Sequence, residues 1–201
     1  FMTAPSQGKL LYHLTHISNV SSILKHGLAS RNKIMNSSLR NQFVDIADQK
    51  IIRSREEHNN HLLDYVLFHF YAKNPFDGAV CQSQGSENMA IITVYRDLHK
   101  KQDFYIIPMH PLDREVPKIF SYEEGFKRVR WDILDNGSNR DYHDQMIKNA
   151  CMAECITESL VQAADIAYVF VYSGKAKMKI ERNLGYSDPR IKVDPNKFPP
   201  F

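Results

Sequence analysis

The sequence predicts an α+β fold. Its strand-like runs outnumber its helical ones, and the helices fall irregularly between them instead of alternating as βαβ units. Neither the G-x-G-x-x-G nor the G-x-x-x-x-G-K-[ST] phosphate loop is present, so any nucleotide is held without those two devices. With 201 residues the chain is long enough for one well-packed core and short for two, and one domain over residues 1–201 is expected.

The elements follow from local pattern. Residues 9–15 are apolar and short, which reads as a buried strand. Ser18 is expected to cap a helix through Val20, Ile23 and Leu24 that ends at Gly27. Residues 29–42 are polar without a strong period, a long loop with some helix, and long loops in compact domains are often functional. Residues 46–57 read as helix, followed by a polar patch at 57–61. Residues 65–71 are rich in β-formers and read as a central strand, with a turn over residues 73–78. Further strands are expected at 90–95, 103–107 and 166–172, with an edge strand at 190–193. Helices are expected at 141–152 and 175–184.

Composition excludes little beyond extremes. The formal charge of +3 permits a polyanionic partner without requiring one. No apolar run approaches the length that spans a bilayer, and Phe1-Met2-Thr3-Ala4 lacks the layout of a signal peptide, so no membrane role and a cytoplasmic location are expected. Three cysteines, Cys81, Cys151 and Cys155, are too few for a disulfide scaffold. Cys151 and Cys155, four apart, fit a shared helical face but lack the second Cys/His pair of a zinc site, so no metal is expected.

Several ordered blocks resemble the DarT family. Tyr12-His-Leu-Thr-His-Ile-Ser-Asn19, then Ile23-Leu24 and His26-Gly-Leu28, is similar to that family's opening pattern Y-H-I-T-H-x-x-N, I-L, G-L. Ile52-Arg-Ser-Arg55 resembles its arginine-bearing segment. Leu63-Asp-Tyr-Val-Leu-Phe-His-Phe70, with Asn74-Pro75 after it, resembles its H-D-Y-V-P-F-Y-F and S-P blocks. Met152-Ala-Glu-Cys155 resembles its Q-A-E block, and Tyr172-Ser173 closes the strand that follows. Leu63 and Leu67 depart from the family's histidine and proline, and Asn74-Pro-Phe from its R-S-P-M, which bears on the acceptor base more than on the NAD⁺ chemistry.

The resemblance implies the ADP-ribosyltransferase fold, a split antiparallel sheet with NAD⁺ in the cleft. It implies transfer of ADP-ribose to a nucleobase of single-stranded DNA, thymine at its ring nitrogen, with nicotinamide released. The same chemistry on RNA, or on guanine or adenine, is the alternative, and a non-catalytic nucleic-acid-binding module is the rival from another class. An RNA 2′-phosphotransferase needs a basic cluster for a terminal phosphate, which the sequence lacks. Such a transferase is a toxin to its host, which implies a macrodomain-type antitoxin as partner.

The resemblance also assigns roles. Glu154 falls on the catalytic glutamate, with Glu158 as the nearby alternative, and Arg55 falls on the essential arginine, suited to phosphate and to positioning the acceptor. By composition alone, Glu154 reads as an exposed helix-end residue and Arg55 as a partner of Glu56 or Glu57. Arg53 exchanges roles with Arg55 if the helix starts one residue later. His13 is implied as a ribose-hydroxyl contact, with Thr15 on the same strand face. Backbone groups of Leu14 and Thr15 suit the nicotinamide amide, and Asn19 and Leu28, from the same blocks, are expected at the cofactor. Tyr65 or Phe70 is expected to stack on nicotinamide; alternation sets Phe68 and Phe70 on one face, Tyr65 and His69 on the other. Asn36, Arg40, Lys73 and Asn74 are candidates for phosphates and an unstacked base.

Overall fold

The first strand, β1 (Leu10–His16), forms where apolar and β-favouring residues run without a breaker. In the computed structural model, which describes residues 3–57, 61–112 and 117–199, it lies near the middle of one eight-stranded sheet. The other strands are β2 (Val66–His69), β3 (Met89–Tyr95), β4 (Tyr105–Ile107), β5 (Phe120–Ser121), β6 (Glu154–Thr157), β7 (Ile166–Val171) and β8 (Ile191–Val193). Their spatial order is β5-β4-β6-β2-β1-β3-β7-β8, with every neighbouring pair antiparallel except β7 and β8. His58, Asn59 and Asn60 of the polar patch lie outside the described residues.

β1 and β3 pair along their whole length, from Leu10↔Tyr95 to His16↔Met89. On its other side β1 meets β2 at Tyr12↔His69 and then diverges from it. The sheet is split there, and the split becomes the site.

The two faces of the sheet are packed differently. On one, Leu11, Phe68, Ile92, Cys155 and Val169 form the main core. They are covered by the buried sides of α1 (Val20–His26), α5 (Tyr122–Arg128), α6 (Trp131–Leu134) and α8 (Gly174–Leu184). On the other, Leu14, Met89 and Ile91 pack with Val80 and Cys81 of α4 (Pro75–Gln84). Arg96 ties the chain start to the first core. It is nearly buried, donates to the carbonyls of Pro5, Leu10 and Phe70, and lies over the rings of Phe70, Phe126 and Trp131.

Three local expectations are corrected. Ser18 does not cap α1: it is exposed, and the chain enters through a 3₁₀ turn, Ile17–Asn19, whose Ser18 N–H donates to the His16 ring. The segment expected as a turn over 73–78 opens α4 instead. Asn74 accepts from the Asp77 N–H, and Pro75 at the first helical position needs no N–H partner. Cys151 and Cys155 do not share a helix face, since Cys151 follows α7 (Gln145–Ala150) while Cys155 is in β6. All three thiols are buried and free, and burial pushes the Cys81 thiol up to about 11.

Gly27 is required where α1 ends. Its φ is +88°, and a Cβ there would lie 2.5 Å from the Val161 carbonyl oxygen. That close approach lets Leu28 and Val161 exchange two backbone hydrogen bonds, at 2.8 and 3.0 Å, and seats Leu28 at the cleft.

Candidate active site

The cleft is a cavity of about 820 Å³ bordered by β1, α1, β2, the start of β6 and the segment from residue 28 to 55. Such a volume is in the range that encloses small-molecule ligands. Among the described residues β1 has no strand partner on its β2 side beyond Tyr12↔His69, and Leu14 and Thr15 border the opening along that unpaired edge. A planar amide, with a donor and an acceptor to satisfy, suits that bare strand edge.

Arg55 and Glu154 meet on the cleft wall. Arg55 Nη2 donates to Glu154 Oε1 at 2.5 Å, and Nη1 reaches Oε2 at 3.4 Å. The Glu154 side chain is 1% exposed and that of Arg55 12%. Local sequence aims both groups. In α3 (Gln49–Glu57) Ile52 is the buried residue, and Arg55 stands three positions on, on the same face. Arg53, Glu56 and Glu57 are exposed on the outer side, and Arg55 pairs with Glu154 instead of with Glu56 or Glu57 as composition suggests. Glu154 is the first residue of β6, reached by a tight turn in which Met152 and Ala153 N–H groups donate to Asn149 and Ala150 carbonyls. Its fallback, Glu158, is exposed one strand length away.

His13 bridges the split. Its Nδ1 lies 2.8 Å from the Leu67 carbonyl oxygen, which only accepts, so Nδ1 carries the hydrogen. Burial brings its pKa down to about 4, against the opposing Leu67 bond and with help from nearby His69. The ring is therefore neutral at pH 7 and Nε2 is an acceptor. A sugar hydroxyl is a fitting donor to it.

Thr15 and Asn19 also line the cavity, yet their polar atoms are engaged with each other. Asn19 Nδ2 donates to Thr15 Oγ1 and to the Val44 carbonyl, at 3.1 and 2.8 Å, and its oxygen accepts from the Val44 N–H. Asn19 thus fastens the segment 43–47 along the cleft rather than presenting free groups to it. Leu14 and Leu28 supply apolar wall.

Alternation in β2 divides the aromatic residues. Tyr65, Leu67 and His69 line the cavity, while Phe68 and Phe70 point to the main core. Phe70 is 2% exposed and packs edge-on to Trp131 at 5.1 Å, away from any stacking position in the cleft. Tyr65 is at the cleft; burial, with a hydrogen bond to Glu158, pushes its hydroxyl up to about 12.

The proposed nucleic-acid contacts are dispersed. Asn36 and Arg40 are exposed on the segment after α2 (Arg31–Met35), where Ser37, Leu39 and Gln42 reach the cavity and they do not. Lys73 sits at φ +65° and is bound through its N–H to Asp77, and Asn74 is 1% exposed as the cap of α4. Neither borders the cleft. Among the cleft residues that the sequence left unmarked are His69 and Val44; the first sits on the cavity face of its strand by alternation, and no local signal marks the second. Among the described residues no three His, Cys, Asp or Glu groups converge as a metal site, and no helix is long and apolar enough to cross a membrane.

The cleft in this split, largely antiparallel sheet thus carries a buried Arg–Glu pair beside a strand edge that lacks a ladder partner. The chain belongs to the DarT family, whose model, described as ssDNA thymidine ADP-ribosyltransferase, matches residues 12–199. A curated relative is the DNA ADP-ribosyl transferase-DNA ADP-ribosyl glycohydrolase fusion protein of Thermosipho africanus, 23% identical over 193 residues. That match takes in 94% of this chain and 49% of the relative, so the chain spans about half the length of the relative. Thermosipho africanus DarTG in complex with ADP-ribose superposes with a TM-score of 0.77 at 24% identity, over 95% of this chain and 51% of that one. Thermus sp. 2.9 DarT in complex with ADP-ribosylated ssDNA gives 0.77 at 19% identity over 95% and 96%, and its complex with NAD⁺ gives 0.74 at 19% over 99% and 100%. These likenesses establish the fold.

Proposed function

We propose that this chain transfers ADP-ribose from NAD⁺ to thymidine of single-stranded DNA and releases nicotinamide. The observation that carries the reading is the Arg55–Glu154 fork at the cleft formed where β1 leaves β2. Family membership supports the acceptor, as do the relatives whose structures hold NAD⁺ and ADP-ribosylated ssDNA.

The roles follow from the geometry. Breaking the bond between nicotinamide and ribose C1′ leaves positive charge on the sugar. Glu154, nearly sealed from water, places negative charge where it counteracts that charge in a medium of low effective dielectric. The acceptor ring nitrogen forms the new bond to C1′ and loses its proton, which the Glu154 carboxylate takes; nicotinamide departs neutral. Arg55 aims the carboxylate and offers its remaining N–H donors to phosphate or to base carbonyls. His13 Nε2 accepts from a ribose hydroxyl, and the bare edge at Leu14 and Thr15 holds the nicotinamide amide. A base acted on in this way must be unstacked, which favours single strands.

The implied partner is an enzyme that removes ADP-ribose from DNA, such as the glycohydrolase half of the Thermosipho relative or a separate macrodomain antitoxin, and a cytoplasmic setting where DNA is at hand. The test is intact-mass analysis of DNA and RNA oligonucleotides, with and without thymine, after incubation with NAD⁺. One added ADP-ribose on thymidine-containing single-stranded DNA, lost in Glu154→Ala, is the expected result. Adducts on RNA alone, or on thymine-free DNA, overturn the acceptor; no adduct anywhere overturns the reading.

A further inference from the structure

His69 stands at the vertex of the split. It is the last residue of β2, pairs with Glu154 on β6 and with Tyr12 on β1, and is 2% exposed while bordering the cavity. Its ring packs against Phe76 of α4, with centroids 6.4 Å apart. Its Nδ1 lies 3.1 Å from the carbonyl oxygen of Ala153, the residue just before Glu154.

We propose that His69 is the positioning residue for Glu154, holding the Ala153 carbonyl through Nδ1–H and thereby fixing the direction in which Glu154 leaves the backbone. The inference rests on the transferase reading for its assay, and on this chain's geometry for its logic. A carbonyl only accepts, so the hydrogen of that bond sits on Nδ1. The Ala153 peptide belongs to the tight turn that delivers the chain from α7 into β6, and it lies just ahead of Glu154, where the ladders to His69 and Ile107 begin. The Glu154 carboxylate is held at its far end by Arg55. Without the His69 bond the buried Ala153 oxygen loses its partner, and the peptide is free to rotate to find another. A carboxylate displaced by about 1 Å from the reacting centre costs on the order of 10²-fold in rate. The groups that grip NAD⁺ from β1 and α1 are untouched by that displacement, so turnover falls while binding does not.

Two conservative substitutions separate hydrogen bonding at Nδ1 from every other role of the ring. The side-chain amide nitrogen of His69→Asn falls close to where Nδ1 was, and that of His69→Gln falls close to Nε2. Nicotinamide release and oligonucleotide ADP-ribosylation are measured for both beside the wild type, with NAD⁺ affinity by calorimetry and melting temperature as controls. His69→Asn is expected to keep kcat within about threefold of the wild type, and His69→Gln to lose about 10- to 100-fold, with KM for NAD⁺ little changed in either. The pH profile of His69→Asn should overlay that of the wild type, because a residue that only positions the Ala153 carbonyl transfers no proton in the reaction. Equal loss in Asn and Gln variants, or a shifted pH profile in Asn, overturns the positioning role; so does a Gln variant as fast as the wild type. Nicotinamide release without any DNA adduct in the wild type would sink the DNA-transfer reading alone, since the same comparison is then read on NAD⁺ cleavage. No cleavage by the wild type overturns both.

Discussion

Arg55 and Glu154, 99 positions apart, close into a two-pronged contact whose shorter arm, Nη2 to Oε1, measures 2.5 Å. A helix and a strand start with no sequence proximity are joined at a single charged point, where one partner is almost sealed from water. The desolvation of such a pair is costly and is offset only while both partners are present. The fold therefore retains a feature that packing alone does not explain, which is expected at a catalytic centre.

Stability and activity should part company at this pair. Glu154→Ala leaves the guanidinium without its partner and is expected to cost about 3–5 kcal/mol, the usual range for breaking a buried pair. Arg55→Met combined with Glu154→Leu removes both charges and should recover most of that loss in urea melts. Both variants are expected to lose at least about 10²–10⁴-fold in ADP-ribosylation, the worth of a positioned acid–base group. A stable double variant that remains active would remove the pair from the mechanism.

His13 makes stability depend on acid. Its folded-state pKa, near 4, lies below the ordinary 6.5, so the unfolded chain takes up a proton at pH values where the folded one does not. Its contribution is complete above about 6.5 and is lost as pH falls toward 4, on the order of 3 kcal/mol in all. His13→Asn keeps a donor for the Leu67 carbonyl but cannot titrate. Between pH 7 and 4.5 the variant should lose less stability than the wild type, and its KM for NAD⁺ should rise because the Nε2 acceptor is gone. Parallel pH profiles for the two proteins would rule out the assigned burial effect.

Much of the sheet was legible because its strands are apolar runs with the right length: 9–15, 90–95 and 166–172 sit within a residue or so of β1, β3 and β7. The edge strand at 190–193 was legible too, although its parallel pairing with β7 is a tertiary fact. The helix α4 was missed because Asn74 and Pro75 look like a turn when read alone; the Asp at the third position, three after Asn74, is what makes them a helix entry. At the site, the ordered motif blocks brought Arg55 and Glu154 forward, whereas composition favoured surface roles for both. The Asn19–Val44 fastening and the His69–Ala153 bond join segments 25 and 84 positions apart, and nothing local announces such contacts.

Asn19 should act on affinity through the segment it fastens. Asn19→Ala removes three hydrogen bonds, two of them to the backbone of Val44. The Val44 groups are next to the cleft, and freeing them loosens residues 43–47 along it. A raised KM for NAD⁺, with kcat nearly intact, is the expected pattern for loss of binding that is equal in ground and transition states. Stability should fall by about 1–3 kcal/mol, the cost of stranding buried polar groups. A fall in kcat with KM unchanged would place Asn19 in the chemistry instead.

Tyr65 and Phe70 provide the last comparison, because strand alternation sends them to opposite faces. Phe70 packs on Trp131 and Phe126 and under Arg96, so Phe70→Leu opens space in the main core. Tyr65 lies at the cleft, with its hydroxyl toward Glu158, so Tyr65→Leu removes an aromatic wall from the cavity and little from the core. Phe70→Leu is expected to cost about 1–2 kcal/mol, which lowers the melting temperature of a chain this size by roughly 2–8 °C. Its KM values for NAD⁺ and DNA should stay at the wild-type level. Tyr65→Leu should do the reverse: a small thermal change, and a clear rise in KM for at least one of the two substrates. If the pair instead responded alike, with both losing stability or both losing affinity, the division of the strand into a core face and a substrate face would not hold, and with it the assignment of Tyr65 to the ligand.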